Sequence, residues 1–185
     1  MDTTKAKVVG LLAEAGSGKD TVYSIFKTLL SDKTVVRIAF GDAVKEEVAN
    51  KHDISIEDIE ENKESFRNIL QHWGTEHRRK SDEFYWIKKI KPQVDILKTN
   101  ADVIVFTDVR FLNEADFIRK ELKGSIIKIT AEADRVLKSD HRSETEMKYI
   151  KPDWLLPNNG TVTELAEGVA FLIHDLEIED YSDEC

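Results

Sequence analysis

The sequence predicts an α/β domain built on a five-stranded parallel sheet with helices on both faces. Three observations predict it. A short apolar run at residues 6–12 enters the glycine-rich stretch Ala13-Glu14-Ala15-Gly16-Ser17-Gly18-Lys19-Asp20-Thr21, and an amphipathic helix leaves it. Four further apolar runs follow, at 34–40, 103–106, 125–130 and 153–156, alternating with helical periodicity. Between the second and third runs lie roughly sixty residues of charged, mostly helical sequence, longer than a crossover requires.

Residues 6–12, Ala-Lys-Val-Val-Gly-Leu-Leu, have the continuous apolar character of a strand buried on both faces. The loop after them approximates GxxxxGK[ST], a phosphate-binding pattern. Its glycines let backbone N–H groups turn toward an anion with no Cβ in the way, and the following helix adds unpaired amides and its positive dipole end. Lys19 supplies a point charge for β/γ-phosphates. The pattern departs twice: Ala13 stands where the first glycine is usual, and Asp20 follows the lysine, so the hydroxyl comes one place later at Thr21. A turn that only caps a helix is the alternative, which the strand before and the helix after oppose. Val22, Ile25, Phe26, Leu29 and Leu30 define one face of that helix.

The second strand, 34–40, ends at Gly41-Asp42, where Asp42 either caps the next helix or, at the carboxyl end of a strand, contacts a substrate. Within the long insertion, Phe66, Ile69, Leu70 and Trp73 make an apolar helical face, while Arg67, Gln71 and Arg78 are spaced to line another. Gly74-Thr75 interrupts or ends this helix. A further helix is expected from Ser81 or Asp82, burying Trp86, Ile87, Ile90, Val94 and Leu97, with Pro92 kinking it.

Val103 to Phe106 make the third strand, and Asp108 at its carboxyl end gives the Walker B pattern, which places a carboxylate near a Mg²⁺ shell. Asn113 is expected to cap the next helix and Gly124 to end it before the fourth strand. Residues 131–151 turn basic, with Arg135, Lys138, His141, Arg142, Lys148 and Lys151. This segment reads either as a solvated helical hairpin or as a lid whose arginines close on phosphates, and its charge favours the lid. After the fifth strand and the turn Pro157-Asn158-Asn159-Gly160, Thr161 and Glu164 form a capping box for a last amphipathic helix. Residues 177–185 carry five acids and no base, a composition expected to fray.

Composition narrows the function. Among 185 residues, 41% are hydrophobic, enough for one core, and the expected organisation is a single domain. Its parts are a core of 5–41, 101–130 and 152–176, an insertion at 42–100, a lid at 131–151 and an acidic tail at 177–185. Lys and Arg total 27 against 36 Asp and Glu, and the net charge of −9 opposes a nucleic-acid partner. A small phosphorylated ligand fits better. The single cysteine, Cys185, excludes an intrachain disulfide and suits a reducing compartment, and no apolar run approaches membrane-spanning length. These features predict a cytoplasmic protein with no membrane partner, monomeric or homodimeric.

Taken together, the parts describe a P-loop NTPase fold, three-layer α/β/α, of the nucleoside monophosphate kinase type. More narrowly, the chain resembles the phage-type deoxynucleoside monophosphate kinases. The residues that carry the resemblance are Gly16-Ser17-Gly18-Lys19-Asp20-Thr21, Leu70-Gln71-His72-Trp73-Gly74-Thr75-Glu76 with Arg78, and Thr107-Asp108-Val109-Arg110-Phe111-Leu112-Asn113-Glu114-Ala115. His141-Arg142-Ser143-Glu144 and Asn158-Asn159-Gly160-Thr161 follow in order. It covers residues 6 to about 174, and the loop motif is shared with phosphomevalonate kinases.

The resemblance implies phosphoryl transfer from ATP to a deoxynucleoside monophosphate (dNMP) with Mg²⁺. Ala15, Gly16, Ser17, Gly18, Lys19, Asp20 and Thr21 would bind ATP, with Asn159 and Gly160 near its adenine. Lys19, Asp20, Arg135 and Arg142 would serve the transfer, and Thr21 and Asp108 the metal. The acceptor would meet the helical nucleotide-binding insertion through Asp42, Lys45, Arg67, Gln71, Trp73, Gly74, Thr75 and Arg78, together with Arg110 and Glu144.

The chemistry agrees. A nucleotide phosphate oxygen is already an anionic nucleophile, so transfer needs positioning and charge stabilisation but no strong base. The sequence offers no obvious nucleophile–base pair. An alcohol acceptor would want a carboxylate over its hydroxyl, a role open to Asp42 or Asp108, so a small-metabolite kinase stands as the alternative. A non-catalytic nucleotide switch is a third reading.

Overall fold

The computed structural model describes residues 6–131 and 142–178. Five parallel strands, β1 (Lys7–Leu12), β2 (Val35–Ile38), β3 (Val103–Val109), β4 (Ser125–Thr130) and β5 (Trp154–Pro157), form one sheet in the order β2-β3-β1-β4-β5. Because β1 and β3 are central, they are apolar on both faces, and side chains alternate between two cores. Val9, Leu11, Val103 and Val105 pack on α1 (Lys19–Leu29) and α8 (Val162–Asp175). Val8, Leu12, Ile104 and Phe106 face the opposite layer, which includes α2 (Phe40–His52), α5 (Tyr85–Asn100) and α6 (Leu112–Asp116). Helices on both faces of a parallel sheet make the three-layer α/β/α fold.

Between α2 and α5 lie α3 (Ile56–Glu61) and α4 (Lys63–Gln71), and α4 continues into a π-helical turn, His72–Arg79. The helix therefore widens at Gly74-Thr75 and does not end there. Glu47 on α2 ties this region together: its carboxylate accepts Trp73 Nε1 at 3.0 Å, Tyr85 Oη at 2.7 Å and Lys89 Nζ at 2.7 Å, and pairs with Arg78. No single stretch of sequence contains that network.

Several helix starts differ from the sequence expectation, each because a different acid satisfies the first N–H groups. Asp42 does not cap α2. Ala39 is the N-cap residue, and the Phe40 and Gly41 N–H groups donate to the Asp108 carboxylate at 2.8 and 2.7 Å, so the acid at the end of β3 caps α2 from across the fold. Asn113 lies inside α6, where Glu114 reaches back to the N–H groups of Arg110 and Phe111 at 2.8 and 3.1 Å. α5 begins at Tyr85, after Asp82 has accepted the Phe84 N–H. A π-turn, Phe117–Glu121, extends α6, and the left-handed position after it falls on Lys123 (φ 58°). Gly124 answers a different need, since a Cβ there would lie 2.5 Å from the Val8 carbonyl oxygen. The Thr161–Glu164 capping box is formed as the sequence predicts.

The short helix α7 (Arg142–Met147) is the described part of the basic segment. Arg135 and the Glu144 side chain lie outside the described residues, as do 179–185. No helix among the described residues is long and apolar enough to cross a membrane.

Candidate active site

β1 runs from the core into the glycine loop without a cap. Ser17, buried, turns the loop by donating both its N–H and its hydroxyl to the Glu14 carbonyl, at 3.2 and 2.7 Å. Gly16 and Gly18 take φ of 86° and 94°, a backbone that a side chain would strain. No side chain caps α1, whose first turn begins at Lys19. That leaves N–H donors and a positive dipole end facing whatever occupies the loop. Lys19 Nζ donates to Asp20 at 2.7 Å, and both Asp20 and Thr21 are exposed on the same turn.

A second loop supports the first. Asn158, immediately after β5, donates its side-chain N–H to the Ser17 carbonyl at 2.9 Å. A Cβ on Gly18 would lie 2.4 Å from the Asn158 Nδ2 atom, so a side chain there would displace the Asn158 amide. Asn159 and Gly160, the positions expected near adenine, follow Asn158 at the surface. In the sequence Asn158 is one residue of a turn, and its spacing assigns it no role.

Beyond the glycine loop, at the carboxyl ends of β2 and β3, lies a cavity of about 350 Å³. Ala15 of the loop borders it. The far side is the insertion, with Val44, Lys45, Lys63, Arg67, Leu70, Gln71, Gly74 and Thr75, and the floor is Phe40, Trp86, Asp108, Arg110, Phe111 and Glu114. With Arg79, five basic side chains meet two acidic ones in a protein of net charge −9. Apolar and aromatic groups fill the remaining wall. Such a lining suits an anion carried on a flat, partly apolar body.

The charges are held by neighbours. Lys45 Nζ bonds Asp42 at 3.0 Å and also pairs with Glu60. Asp42 in turn accepts Arg37 at 2.5 Å; burial pushes its carboxyl up, but the bonds from Arg37 and Lys45 outweigh that and hold it below its ordinary value. Burial raises the Asp108 carboxyl, with the Gly41 and Phe40 N–H groups pulling the other way. The deepest pair is Arg79 with Glu114, whose side chains are only 5% and 2% exposed. Burial pushes Glu114 up to about 7 against the opposing pull of Arg79.

Of the acceptor residues expected from sequence, Lys45, Arg67, Gln71, Gly74, Thr75 and Arg110 line this cavity, as does Asp108. Asp42 reaches it through Lys45 and is not part of the wall. Trp73 and Arg78 face Glu47 instead, with the Arg78 guanidinium 5.5 Å from the Trp73 ring and 4.9 Å from Tyr85. Of the neighbouring pair Arg78 and Arg79, it is Arg79 that lines the cavity. Arg142 borders a second cavity, of about 300 Å³, which shares Arg79 and Phe111 with the first, and it pairs with Glu146. The signal that would have found Arg79 is the Gly74-Thr75 break, read as a widened turn that advances the helical phase by one residue.

Comparison with known proteins places the chain in a family. The phosphomevalonate kinase family model matches residues 13–124, from the glycine loop through the cavity floor. A protein of Acanthamoeba polyphaga mimivirus named as a deoxynucleotide monophosphate kinase is 32% identical over 186 aligned positions, covering 85% of this chain and 91% of that one. The deoxynucleoside-5'-monophosphate kinase of Escherichia phage T5 is 37% identical over 108 residues, half of this chain and 42% of its own length. A sugar kinase structure from Janibacter has the same fold, with a TM-score of 0.54 over 94% of this chain and 95% of its own at 15% identity. The chain therefore belongs to the kinase family that the phosphomevalonate kinase model describes and, by its mimivirus relative, to the deoxynucleoside monophosphate kinases.

Proposed function

We propose that the protein transfers the γ-phosphoryl group of ATP to a dNMP, giving a deoxynucleoside diphosphate. One observation carries this reading: the glycine loop forms part of the wall of the basic cavity, through Ala15, so a donor on the loop and an acceptor in the cavity meet at one point. Loop amides and the start of α1 cradle the donor phosphates, and Lys19 exchanges Asp20 for a phosphoryl oxygen. Lys45, Lys63, Arg67 and Arg110 hold the acceptor phosphate, while Phe40, Leu70 and Phe111 offer apolar surface to its base and sugar. No general base is required, because the attacking oxygen is already anionic.

Among the described residues no group of three or more Asp, Glu, His or Cys is placed to hold a metal by itself. Mg²⁺ in kinases does not need one, taking one or two protein oxygens together with phosphates and waters. The chain fits that mode. Thr21 carries a hydroxyl on the first turn of α1, and each Asp108 oxygen accepts a single backbone N–H, leaving lone pairs over. When bound, Mg²⁺ would neutralise charge on the phosphates. Asp108 and Thr21 would hold it, directly or through water.

A second reading, a phosphorylated metabolite outside the nucleotides as acceptor, is favoured by the family model over residues 13–124. A coupled ADP-release assay with Mg-ATP separates the two. We expect dNMPs to turn over; a non-nucleotide acceptor at least about tenfold better than every nucleotide would replace the first reading with the second. ATP binding with no transfer to any acceptor would make the protein a nucleotide switch.

A further inference from the structure

Arg79 is an arginine in an unusual position: it is almost inaccessible, yet it lines the acceptor cavity. Its guanidinium lies 3.8 Å from the centre of the Phe111 ring. A guanidinium carries five N–H donors. Glu114 takes one, the Glu83 carbonyl a second at 3.3 Å and Asn113 Oδ1 a third at 3.4 Å. Among the described residues the remaining two have no acceptor. Arg79 lines the cavity, so donors with no protein acceptor there can meet one on a ligand.

Glu114 does more than pair with that arginine. One carboxylate oxygen receives the Arg79 side chain and the other receives the N–H of Arg110 and of Phe111. Arg110 is the other arginine on the floor of the same cavity. A single acid thus fixes the side chain of one arginine and the backbone of the other, with the Phe111 ring held under the first.

We propose that Arg79 is a binding residue for the phosphate of the acceptor, with Glu114 as the positioning residue that holds Arg79 and Arg110 on one anion. This deepens the reading above and rests on it. A buried guanidinium pre-set by an acid loses little side-chain entropy when it closes on a phosphate, and its planar array of N–H donors suits phosphate oxygens. A lysine would keep the charge but lose both the fork and its stacking on Phe111.

The test is steady-state kinetics on Arg79→Lys and Glu114→Gln, with ATP and a dNMP varied separately. Arg79→Lys should raise the acceptor KM at least about tenfold and leave the KM for ATP within about twofold. Glu114→Gln, which keeps the shape and one acceptor oxygen, should raise the acceptor KM by a smaller factor, about three- to tenfold, again without moving that for ATP. An acceptor KM within about twofold of the parent in both folded variants would overturn the proposal, as would equal rises in both KM values, which mark a purely structural pair. Should either variant fail to fold, the Arg79 Nε–H resonance of the unaltered protein decides. It should shift when dNMP is added and stay in place when ATP is added alone; no shift with dNMP overturns the assignment. If the unaltered protein phosphorylates no dNMP, the functional reading fails first; if it does and the variants match it, only this inference fails.

Discussion

Asp108 accepts the backbone N–H of Gly41, 67 positions earlier in the chain, at 2.7 Å, so a residue at the end of β3 caps the start of α2. The same carboxylate borders the basic cavity and is the acid expected near the metal. One side chain thus sets both the angle at which α2 enters the site and the charge at its floor.

Asp108→Asn tests that double role. An amide can accept one of the two N–H groups but presents its own NH₂ to the other, leaving a buried donor unsatisfied at a cost of about 1–3 kcal/mol. We expect a lower thermal midpoint, turnover reduced on the order of a hundredfold, and a higher Mg²⁺ concentration for half-maximal rate. A variant that melts early yet keeps its Mg²⁺ dependence would assign Asp108 to the cap alone.

Lys19 should behave oppositely. Among the described residues its ammonium bonds only the exposed carboxylate of Asp20, so Lys19→Met removes little from the folded state. Charge at the transferring phosphoryl group acts where negative charge shifts in the transition state, typically worth ~3 kcal/mol or more. Turnover should fall on the order of a hundredfold or beyond with an unchanged melting midpoint. Near-normal turnover would show that the glycine loop is not the active site.

Asn158→Ala should separate the donor from the acceptor. Losing one hydrogen bond to the Ser17 carbonyl costs about 1 kcal/mol, enough to raise the KM for ATP by roughly fivefold. The acceptor KM should hold, since Asn158 is not part of the cavity wall. A change in the acceptor KM alone would contradict the coupling of the two loops.

Glu47 predicts acid sensitivity. Burial pushes its carboxyl up, but the bonds from Lys89, Tyr85, Trp73 and Arg78 win and bring it to about 2, against an ordinary 4.5. A folded value below the unfolded one means that its contribution is present above about pH 4.5 and is lost as the pH falls toward 2. Partial solvent screening makes that contribution on the order of 2 kcal/mol. Glu47→Gln should therefore melt below the parent protein at pH 7, and the gap should close at pH 2–3. A gap independent of pH would attribute the effect to packing.

The sequence by itself determined the strand–loop–helix unit at 6–30, the five strands and the capping box at Thr161, because each is written in contiguous residues with a period of two or 3.6. The resemblance grouped Lys45, Arg67, Gln71 and Arg110 as expected acceptor contacts, and all four line one cavity. Tertiary structure alone decided which groups the charges answer to. Asp108 caps α2, Glu47 binds Arg78, Glu114 binds Arg79 and Asn158 holds Ser17, all across long loops where sequence periodicity carries no information about partners. The exchange of Arg78 for Arg79 shows the physical reason most plainly. A regular α-helix through Arg67 and Gln71 would carry Arg78 on the same face, but the π-helical turn at His72–Arg79 takes up one extra residue and brings Arg79 to the cavity.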